Sequence, residues 1–324
     1  MSFDLLKECE NAKRIGISGH VRPDGDCVGA VLGMQMYLQK CLPGAEVKAF
    51  LEKPAEIFRE IQGYDGIDSA FPAEEPFDVF LALDCTADRL GEAEKYFRAA
   101  HKTVNIDHHV TNPGSGDINY IRPETGSTCE LLYDLFEPDR LDRELAMALY
   151  VGIIHDTGVF QYSNTTPATL EKSARLISYG FDFPRLIQET FYQKTYVQAQ
   201  IMGRALMESI RFMNNTCIVS VVYKKNMDFY DVEPSDLDGI VNQLRNIEGI
   251  SCAIFMYQTD VQEFKVSMRS DEKVNVAEVA MQFGGGGHAR AAGCTMRGNF
   301  YDCINNLSLH ISEQMKENEG AQAD

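Results

Sequence analysis

Acidic and imidazole side chains occur in four short motifs in the first half of this sequence, at spacings that suit metal binding. The motifs are His20-Val-Arg-Pro-Asp24-Gly-Asp26, Asp84, Asp107-His108-His109 and His155-Asp156. In three of them, a carboxylate or imidazole stands where an apolar run typical of a buried strand ends. Because an open α/β sheet binds its ligand at the carboxyl ends of its strands, we expect the motifs to converge. Buried charges must be paired or bound to metal, so the sequence predicts a binuclear metal centre.

The types of ligand narrow the choice of ion. Carboxylates with imidazoles suit Mn²⁺, with Mg²⁺, Co²⁺ and Fe²⁺ as alternatives, and the scarcity of sulfur ligands disfavours structural zinc. Asp24 and Asp26 lie on either side of one glycine, so in an extended turn their side chains diverge and each can face a different ion. An Asp-Gly-Asp sequence can also be only a turn. His155 can either line the pocket or satisfy a partner in the core.

A glycine-rich segment in the second half indicates a different chemistry. The run Gly284-Gly285-Gly286-Gly287 lets the backbone approach a ligand closely and present N–H groups to an anion, and His288 and Arg290 add donors beside it. The alternative is a flexible hinge or the end of a helix. Arg269, at the end of an apolar stretch, and Arg89, soon after the second motif, are further candidates for binding phosphate.

The elements that must position these residues alternate between strand and helix, which predicts an α/β fold with a doubly wound, mainly parallel sheet. Strands are expected at 14–19, 46–50, 77–83 and 103–106, and helices at 27–39, 89–100, 127–136 and 142–154. The stretch 183–213 is helical in composition, and β-rich runs follow it, which predicts a second, smaller α/β domain. We therefore predict a catalytic domain over 1–190, a helical connector over 191–212 and a substrate-binding domain over 213–324.

The composition limits the partners of the chain. Its 324 residues include 48 acidic and 30 basic ones, for a net charge of −18. Because affinity for duplex nucleic acid depends on clustered Lys and Arg, we expect none as a partner. The sequence has no leader-like start and no long apolar run, so we expect no membrane partner and a cytoplasmic location. The nine cysteines are dispersed, as is typical of reduced thiols in a cytoplasm.

Taken in order, the four motifs resemble those of the DHH phosphoesterases, and the glycine-rich segment resembles that of the DHHA domain that accompanies them. The resemblance spans roughly residues 14–300. It implies one ion held by His20, Asp24 and Asp84, and a second held by Asp26, Asp84, His108 and Asp156, with Asp84 bridging. Many members of the family have Ser where this chain has Ala30, which removes a hydroxyl that could bond phosphate.

The resemblance also implies roles for the remaining residues. Asp107 is expected to support a neighbouring histidine, and His109 to contact the substrate phosphate or transfer a proton, so that Asp84, Asp107 and His109 are the expected catalytic residues. The expected substrate-binding residues are Arg89, Arg269, Gly285, Gly286, Gly287, His288 and Arg290.

Within this family the chain most resembles the nanoRNase/pAp phosphatase branch. That implies an enzyme that hydrolyses very short single-stranded oligoribonucleotides to nucleoside monophosphates, and 3′-phosphoadenosine 5′-phosphate (pAp) to AMP, through hydroxide formed at two metal ions, most simply Mn²⁺. A cyclic di-AMP or pApA phosphodiesterase would use the same residues. An exopolyphosphatase or pyrophosphatase is disfavoured by the few lysines near the glycine segment, and a nucleotide sensor by the intact ligand set. A homodimer is compatible with the sequence.

Overall fold

The computed structural model describes residues 3–321, and the chain divides after Gln193 into two compact units. The predicted α/β class is confirmed for both units, since each is built on its own sheet. Among the described residues, no helix is both long enough and apolar enough to cross a membrane.

The first unit is built on a five-stranded sheet in which all neighbouring strands are parallel, in the order β2-β1-β3-β4-β5. Its strands are β1 Arg14–Ser18, β2 Glu46–Phe50, β3 Val79–Leu83, β4 Thr103–Asp107 and β5 Ile118–Ile121. The strand order changes direction between β1 and β3. Because β1, β3 and β4 are parallel neighbours, their carboxyl ends lie side by side at one edge of the sheet. This is the edge at which the sequence predicts the metal centre.

Helices cover both faces of this sheet, as the continuous apolar strands predict. They are α1 Leu5–Cys9, α2 Gly25–Cys41, α3 Glu94–Ala99, α4 Thr128–Leu135, α5 Arg143–Asp156, α6 Pro167–Ile177 and α7 Phe183–Ile187. Short 3₁₀ turns lie at Glu56–Phe58, Tyr64–Gly66, Ala87–Arg89, Gly91–Ala93 and Pro138–Arg140, and a π-helical turn covers Gln188–Tyr192.

Alternation along the strands divides the core of the first unit between the two faces of the sheet. On β3, Leu81 and Leu83 pack with α2, α4 and α5, whereas Phe80 and Ala82 face an aromatic cluster that includes residues of α3. Helices α2 and α5 approach closely at Gly29, where an added Cβ would lie only 2.5 Å from the carbonyl oxygen of Ala148. Burial on both faces fixes the strand register, and with it the position of each strand end.

The second unit is a six-stranded mixed sheet in the order β10-β11-β9-β8-β7-β6. Its strands are β6 Ile210–Phe212, β7 Cys217–Val222, β8 Cys252–Asp260, β9 Glu263–Ser270, β10 Gly286–His288 and β11 Ala291–Arg297. Its helices are α8 Tyr196–Met207, α9 Lys224–Tyr230, α10 Ile240–Arg245, α11 Val276–Met281 and α12 Phe300–Ala321, with a 3₁₀ turn at Pro234–Leu237. Only β7 and β8 pair in parallel.

Three local predictions differ from the structure. The helical assignment of 183–213 is wrong for Ile210–Phe212, because antiparallel pairing of β6 with β7 overrides the helical composition there. Strand β5 was not predicted, since only its pairing with β4 identifies so short a segment. Part of the glycine segment, for which no strand was predicted, forms β10 and pairs with β11.

Candidate metal centre

The first metal-binding motif follows β1 and leads into α2. Asp24 is the N-cap of α2, and its Oδ1 accepts hydrogen bonds from the backbone N–H groups of Asp26 and Cys27, both at 3.1 Å. Asp24 is exposed, whereas Asp26, in the first turn, is fully buried. The two carboxylates therefore diverge from Gly25 between them, as their spacing predicts.

Asp26 is held by a helix that the sequence did not connect with the site. Its Oδ2 accepts a hydrogen bond of 2.7 Å from the N–H of Thr128, and its Oδ1 one of 2.9 Å from the N–H of Cys129. These are the first two residues of α4, so the carboxylate faces the positive end of that helix. The sequence feature that could have identified this helix end is the N-cap residue Ser127, whose side chain accepts a hydrogen bond from the N–H of Glu130.

Asp84 lies at the centre of the candidate site, immediately after β3. Its Oδ2 is 3.4 Å from Nε2 of His20, and its Oδ1 is 3.6 Å from Nε2 of His108. The Thr128 hydroxyl donates a hydrogen bond of 3.0 Å to Oδ1. Asp84 has a φ of 62°, a left-handed conformation that costs energy for a residue with a side chain. The two oxygens of one buried carboxylate thus face two different imidazoles.

His20 completes the group on one side of Asp84. Its Nε2 is also 3.6 Å from Oδ1 of Asp24, and its Nδ1 lies 2.9 Å from the carbonyl oxygen of Val21. That carbonyl can only accept, so Nδ1 carries a proton and Nε2 is the nitrogen directed towards the two carboxylates. His20, Asp24 and Asp84, predicted to share one ion, lie together.

His108 and Asp156 form the group on the other side. Nε2 of His108 is 2.9 Å from Oδ2 of Asp156, the last residue of α5. Among the described residues this nitrogen is buried without a hydrogen-bond partner of acceptable geometry. Ligand atoms of Asp26, His108 and Asp156 all lie within 4.8 Å of one another. The second predicted ligand set is therefore also brought together.

Asp107 and His109 lie beside these groups and are joined to each other. Oδ1 of Asp107 is 2.7 Å from Nδ1 of His109 and accepts the backbone N–H of both His108 and His109. Oδ2 accepts a hydrogen bond of 2.5 Å from the side-chain amide of Asn112. With Nδ1 of His109 donating to the Asp107 carboxylate, proton transfer by this imidazole would use Nε2.

The buried carboxylates of the cluster favour the positively charged forms of the neighbouring histidines. Burial disfavours an imidazolium at His20, but Asp24 and Asp84 outweigh it and raise the pKa of His20 to about 11. In the same way Asp156 outweighs burial and raises the pKa of His108 to about 10. Burial itself, with His108 opposing it, raises the pKa of Asp156 to about 6. His20 and His108 thus tend to hold protons that bound divalent cations would displace.

The donor set fits divalent ions of the Mn²⁺ or Mg²⁺ type. The unpartnered nitrogen of His108 and the surrounding carboxylates are hard or borderline ligands, as such ions require. The Cys27 sulfur also lies within 4.8 Å of ligand atoms of His20 and Asp84, a contact that the sequence did not indicate. Burial raises the pKa of the Cys27 thiol well above its usual range.

Three further residues near the motifs, Cys85, Ala30 and Arg89, lie in different environments. Cys85 is buried in the aromatic cluster on the α3 face, where it fills space. Ala30 is fully buried in the apolar core of the first unit, so a hydroxyl at this position would lie among apolar side chains. Arg89 is exposed, and its carbonyl accepts the N–H of Val21 next to His20.

The predicted substrate-binding residues lie in the second unit. Ala291 of β11 pairs with Arg269 on β9 and with His288 on β10, so the two side chains project from the same face with a small residue between them. A Cβ on Gly287 would lie 2.5 Å from the carbonyl oxygen of Ala291, which explains the glycine. Arg290 donates from its guanidinium to the carbonyl of Asp271, so part of its hydrogen-bonding capacity serves the fold.

Two family models match the chain. The DHH family, N-terminal domain, matches residues 14–153, and the DHHA1 domain matches residues 214–317. Among curated proteins, the chain is 29% identical over 300 residues to the bifunctional oligoribonuclease and PAP phosphatase NrnA of Thermus thermophilus, covering 91% of this chain and 87% of the relative. It is 26% identical over 302 residues to the NrnA protein of Bacillus subtilis, covering 91% of this chain and 93% of the relative.

Solved structures show the same fold. An exopolyphosphatase-related protein from Bacteroides fragilis superposes with a TM-score of 0.87 at 23% identity, covering 96% of this chain and 95% of that one. RecJ from Thermus thermophilus, solved in complex with Mn²⁺, gives a TM-score of 0.56 at 14% identity, covering 97% of this chain and 54% of that one. At these identities the likeness concerns the fold alone.

Proposed function

The chain belongs to the DHH family of phosphoesterases, with a DHHA1 domain in its second unit, and from this premise we propose that it hydrolyses very short oligoribonucleotides to nucleoside monophosphates. We extend the proposal to removal of the 3′-phosphate of pAp. Support for the substrate comes from near full-length similarity to proteins named oligoribonuclease and PAP phosphatase. Support for the chemistry comes from one observation, the position of Asp84 with one oxygen towards each of two histidines.

Two groups of residues would hold a pair of divalent ions, most simply Mn²⁺. The first consists of His20, Asp24 and Asp84, and the second of Asp26, Asp84, His108 and Asp156. When bound, such a pair supplies Lewis acidity, which stabilises charge on phosphoryl oxygens and makes water a better nucleophile.

The protein's own groups orient this chemistry and handle the proton. The N-terminus of α4 fixes Asp26 through two backbone N–H groups, and the Thr128 hydroxyl fixes Oδ1 of Asp84. Burial opposes the charged form of His109, but the hydrogen bond to Asp107 outweighs it and raises the pKa of the imidazole. His109 can therefore hold a proton at Nε2 and donate it to a phosphate oxygen or to the leaving alkoxide oxygen, which becomes the product hydroxyl.

In the second unit, Arg269 and His288 provide donors on one face of the sheet for a nucleotide phosphate. A guanidinium can grip phosphate with two parallel hydrogen bonds, and the small Ala291 between the two side chains leaves room for the anion. We assign substrate binding to these two residues and to the backbone of Gly285–Gly287.

The proposal is tested with a substrate panel in Mn²⁺ and in chelator: RNA dimers to decamers, pAp, pApA, cyclic di-AMP and pyrophosphate. We expect Mn²⁺-dependent release of nucleoside monophosphates from dimers to pentamers, and AMP from pAp. Asp84→Ala should lose this activity by several orders of magnitude. Arg269→Ala should weaken binding of the dimer by about 10- to 150-fold while leaving the metal content unchanged. Preferential cleavage of cyclic di-AMP or of pyrophosphate would contradict the proposed substrate.

A further inference from the structure

The imidazole of His155 packs directly against Gly25, the residue between the two aspartates of the first motif. A Cβ built on Gly25 would lie 2.2 Å from Cγ of His155 and 2.7 Å from its Cβ. Those atoms belong to the root of the side chain, so the ring could not move aside without a shift of α5. Position 25 therefore cannot carry a side chain while the His155 ring keeps its place.

Further contacts hold the ring of His155 in place. Phe58 and Phe191 pack against it in T-shaped arrangements, with ring centroids 5.1 Å and 5.5 Å away. Its Nε2 is 3.2 Å from the hydroxyl of Thr190, and that hydroxyl donates its own hydrogen to the carbonyl of Leu186. Because the hydroxyl has one hydrogen, Nε2 must be the donor in the contact with Thr190. The ring is thus fixed in both position and orientation.

We propose that His155 is a positioning residue for the metal centre, and that its ring sets the separation of Asp24 and Asp26 by bearing on Gly25. Asp24 caps α2 and Asp26 reaches the N-terminus of α4, so the backbone at Gly25 decides how far the two carboxylates diverge. His155 also directly precedes Asp156 on α5. The His155 side chain therefore connects the turn at the start of α2 with α5, the helix that carries the predicted ligand Asp156 on the other side of Asp84. The inference rests on the proposed metal chemistry but on no choice of substrate.

The packing contact makes a specific prediction for paired variants. Gly25→Ala should weaken Mn²⁺ binding by about 10- to 100-fold, because its methyl group displaces the turn, and His155→Ala should weaken it by about tenfold. The double variant should bind Mn²⁺ more tightly than Gly25→Ala alone, since removing the ring relieves the shortest contact of the added methyl group, 2.2 Å to Cγ, although the contact of 2.7 Å to Cβ stays. His155→Phe keeps a ring on Gly25 and should bind Mn²⁺ nearly as the unmodified protein does.

The experiment is a titration of the full chain with Mn²⁺, followed by the electron paramagnetic resonance signal of the free ion, which gives affinity and stoichiometry without any RNA. Gly33→Ala is the matched control: it lies on the same helix, but the nearest atom that its added Cβ would meet is a terminal methyl of Leu149, at 3.3 Å. This variant should bind Mn²⁺ normally. Urea unfolding of each variant separates loss of fold from loss of binding.

Two results would overturn the proposal. One is a double variant that binds Mn²⁺ more weakly than Gly25→Ala, as independent effects would predict. The other is a His155→Phe variant as impaired as His155→Ala. Neither outcome depends on the oligoribonuclease assay, so failure of this inference and failure of the proposed substrate are distinguishable.

Discussion

At the scale of single residues, the chemistry of this chain is concentrated in carboxylates and imidazoles that the sequence identifies by type. The residue types and their place after apolar runs are enough to predict His20, Asp84 and His108 as neighbours. The partners that hold them are less visible in the sequence. Asn112 is an ordinary loop residue in the sequence, yet it is buried and its amide donates to Asp107 at 2.5 Å and to Asn105 at 3.1 Å.

This contact predicts the effect of an isosteric change. Asn112→Asp replaces the amide donor with a carboxylate facing Asp107, so the Asp107–His109 pair should lose its alignment. We expect kcat on an RNA dimer to fall by about 10- to 100-fold while two ions remain bound.

The matched control for this change is Asn119→Asp, seven residues further along the chain on β5. Asn119 is exposed and its amide bonds only with the backbone of Gly116, so kcat should stay close to that of the unmodified protein. An Asn112→Asp enzyme with unchanged kcat, or an equal loss in the control, would refute the role of Asn112.

At the scale of elements, the site is an assembly of strand ends and helix ends. Strands β1, β3 and β4 deliver their motifs to one edge, and the N-terminus of α4 receives Asp26. Apolar patterns predict β1 to β4 and helices α2 to α5, because each has an apolar face to bury. They do not predict that α4 supplies backbone N–H groups to the site, because those groups belong to every helix and carry no sequence signal. The strand at Gly286–His288 escaped prediction for a related reason: only pairing with β11 defines it.

The role of α4 can be tested through its cap. Ser127 is fully buried and accepts a hydrogen bond of 3.0 Å from Glu130, so Ser127→Ala should lower the free energy of unfolding by about 1 kcal/mol. It should also weaken Mn²⁺ binding, because the helix end that holds Asp26 loosens.

Thr195→Ala is the control for this experiment, since Thr195 caps α8 in the second unit with a comparable bond of 3.1 Å to Gln198. It should cost a similar stability in urea unfolding and leave Mn²⁺ affinity unchanged. Equal effects of the two variants on Mn²⁺ affinity would show that the cap of α4 has no special connection with the metal centre.

At the scale of the whole molecule, the division into two units and the net charge of −18 affect the length of nucleic acid that we expect the protein to bind. A strand of many phosphates needs a matching series of Lys and Arg, and 48 acidic against 30 basic residues do not favour one. A dinucleotide needs only a few donors, which Arg269 and His288 can provide.

The charge balance therefore predicts selectivity for short strands. For single-stranded RNA, kcat/KM should fall as length increases from dimer to decamer, and duplex RNA should not be cleaved. The measurement is the release of labelled nucleoside monophosphate under initial-rate conditions, with each strand at the same salt concentration. Efficiency that is equal or rises with length would indicate a processive exonuclease instead.

Anomalous diffraction from crystals soaked in Mn²⁺ tests the proposed binuclear centre around Asp84 most directly. We predict two anomalous peaks in each chain. One should lie among His20, Asp24 and Asp84, and the other among Asp26, Asp84, His108 and Asp156, with a different oxygen of Asp84 facing each peak. A single peak, or two peaks that Asp84 does not separate, would contradict the account.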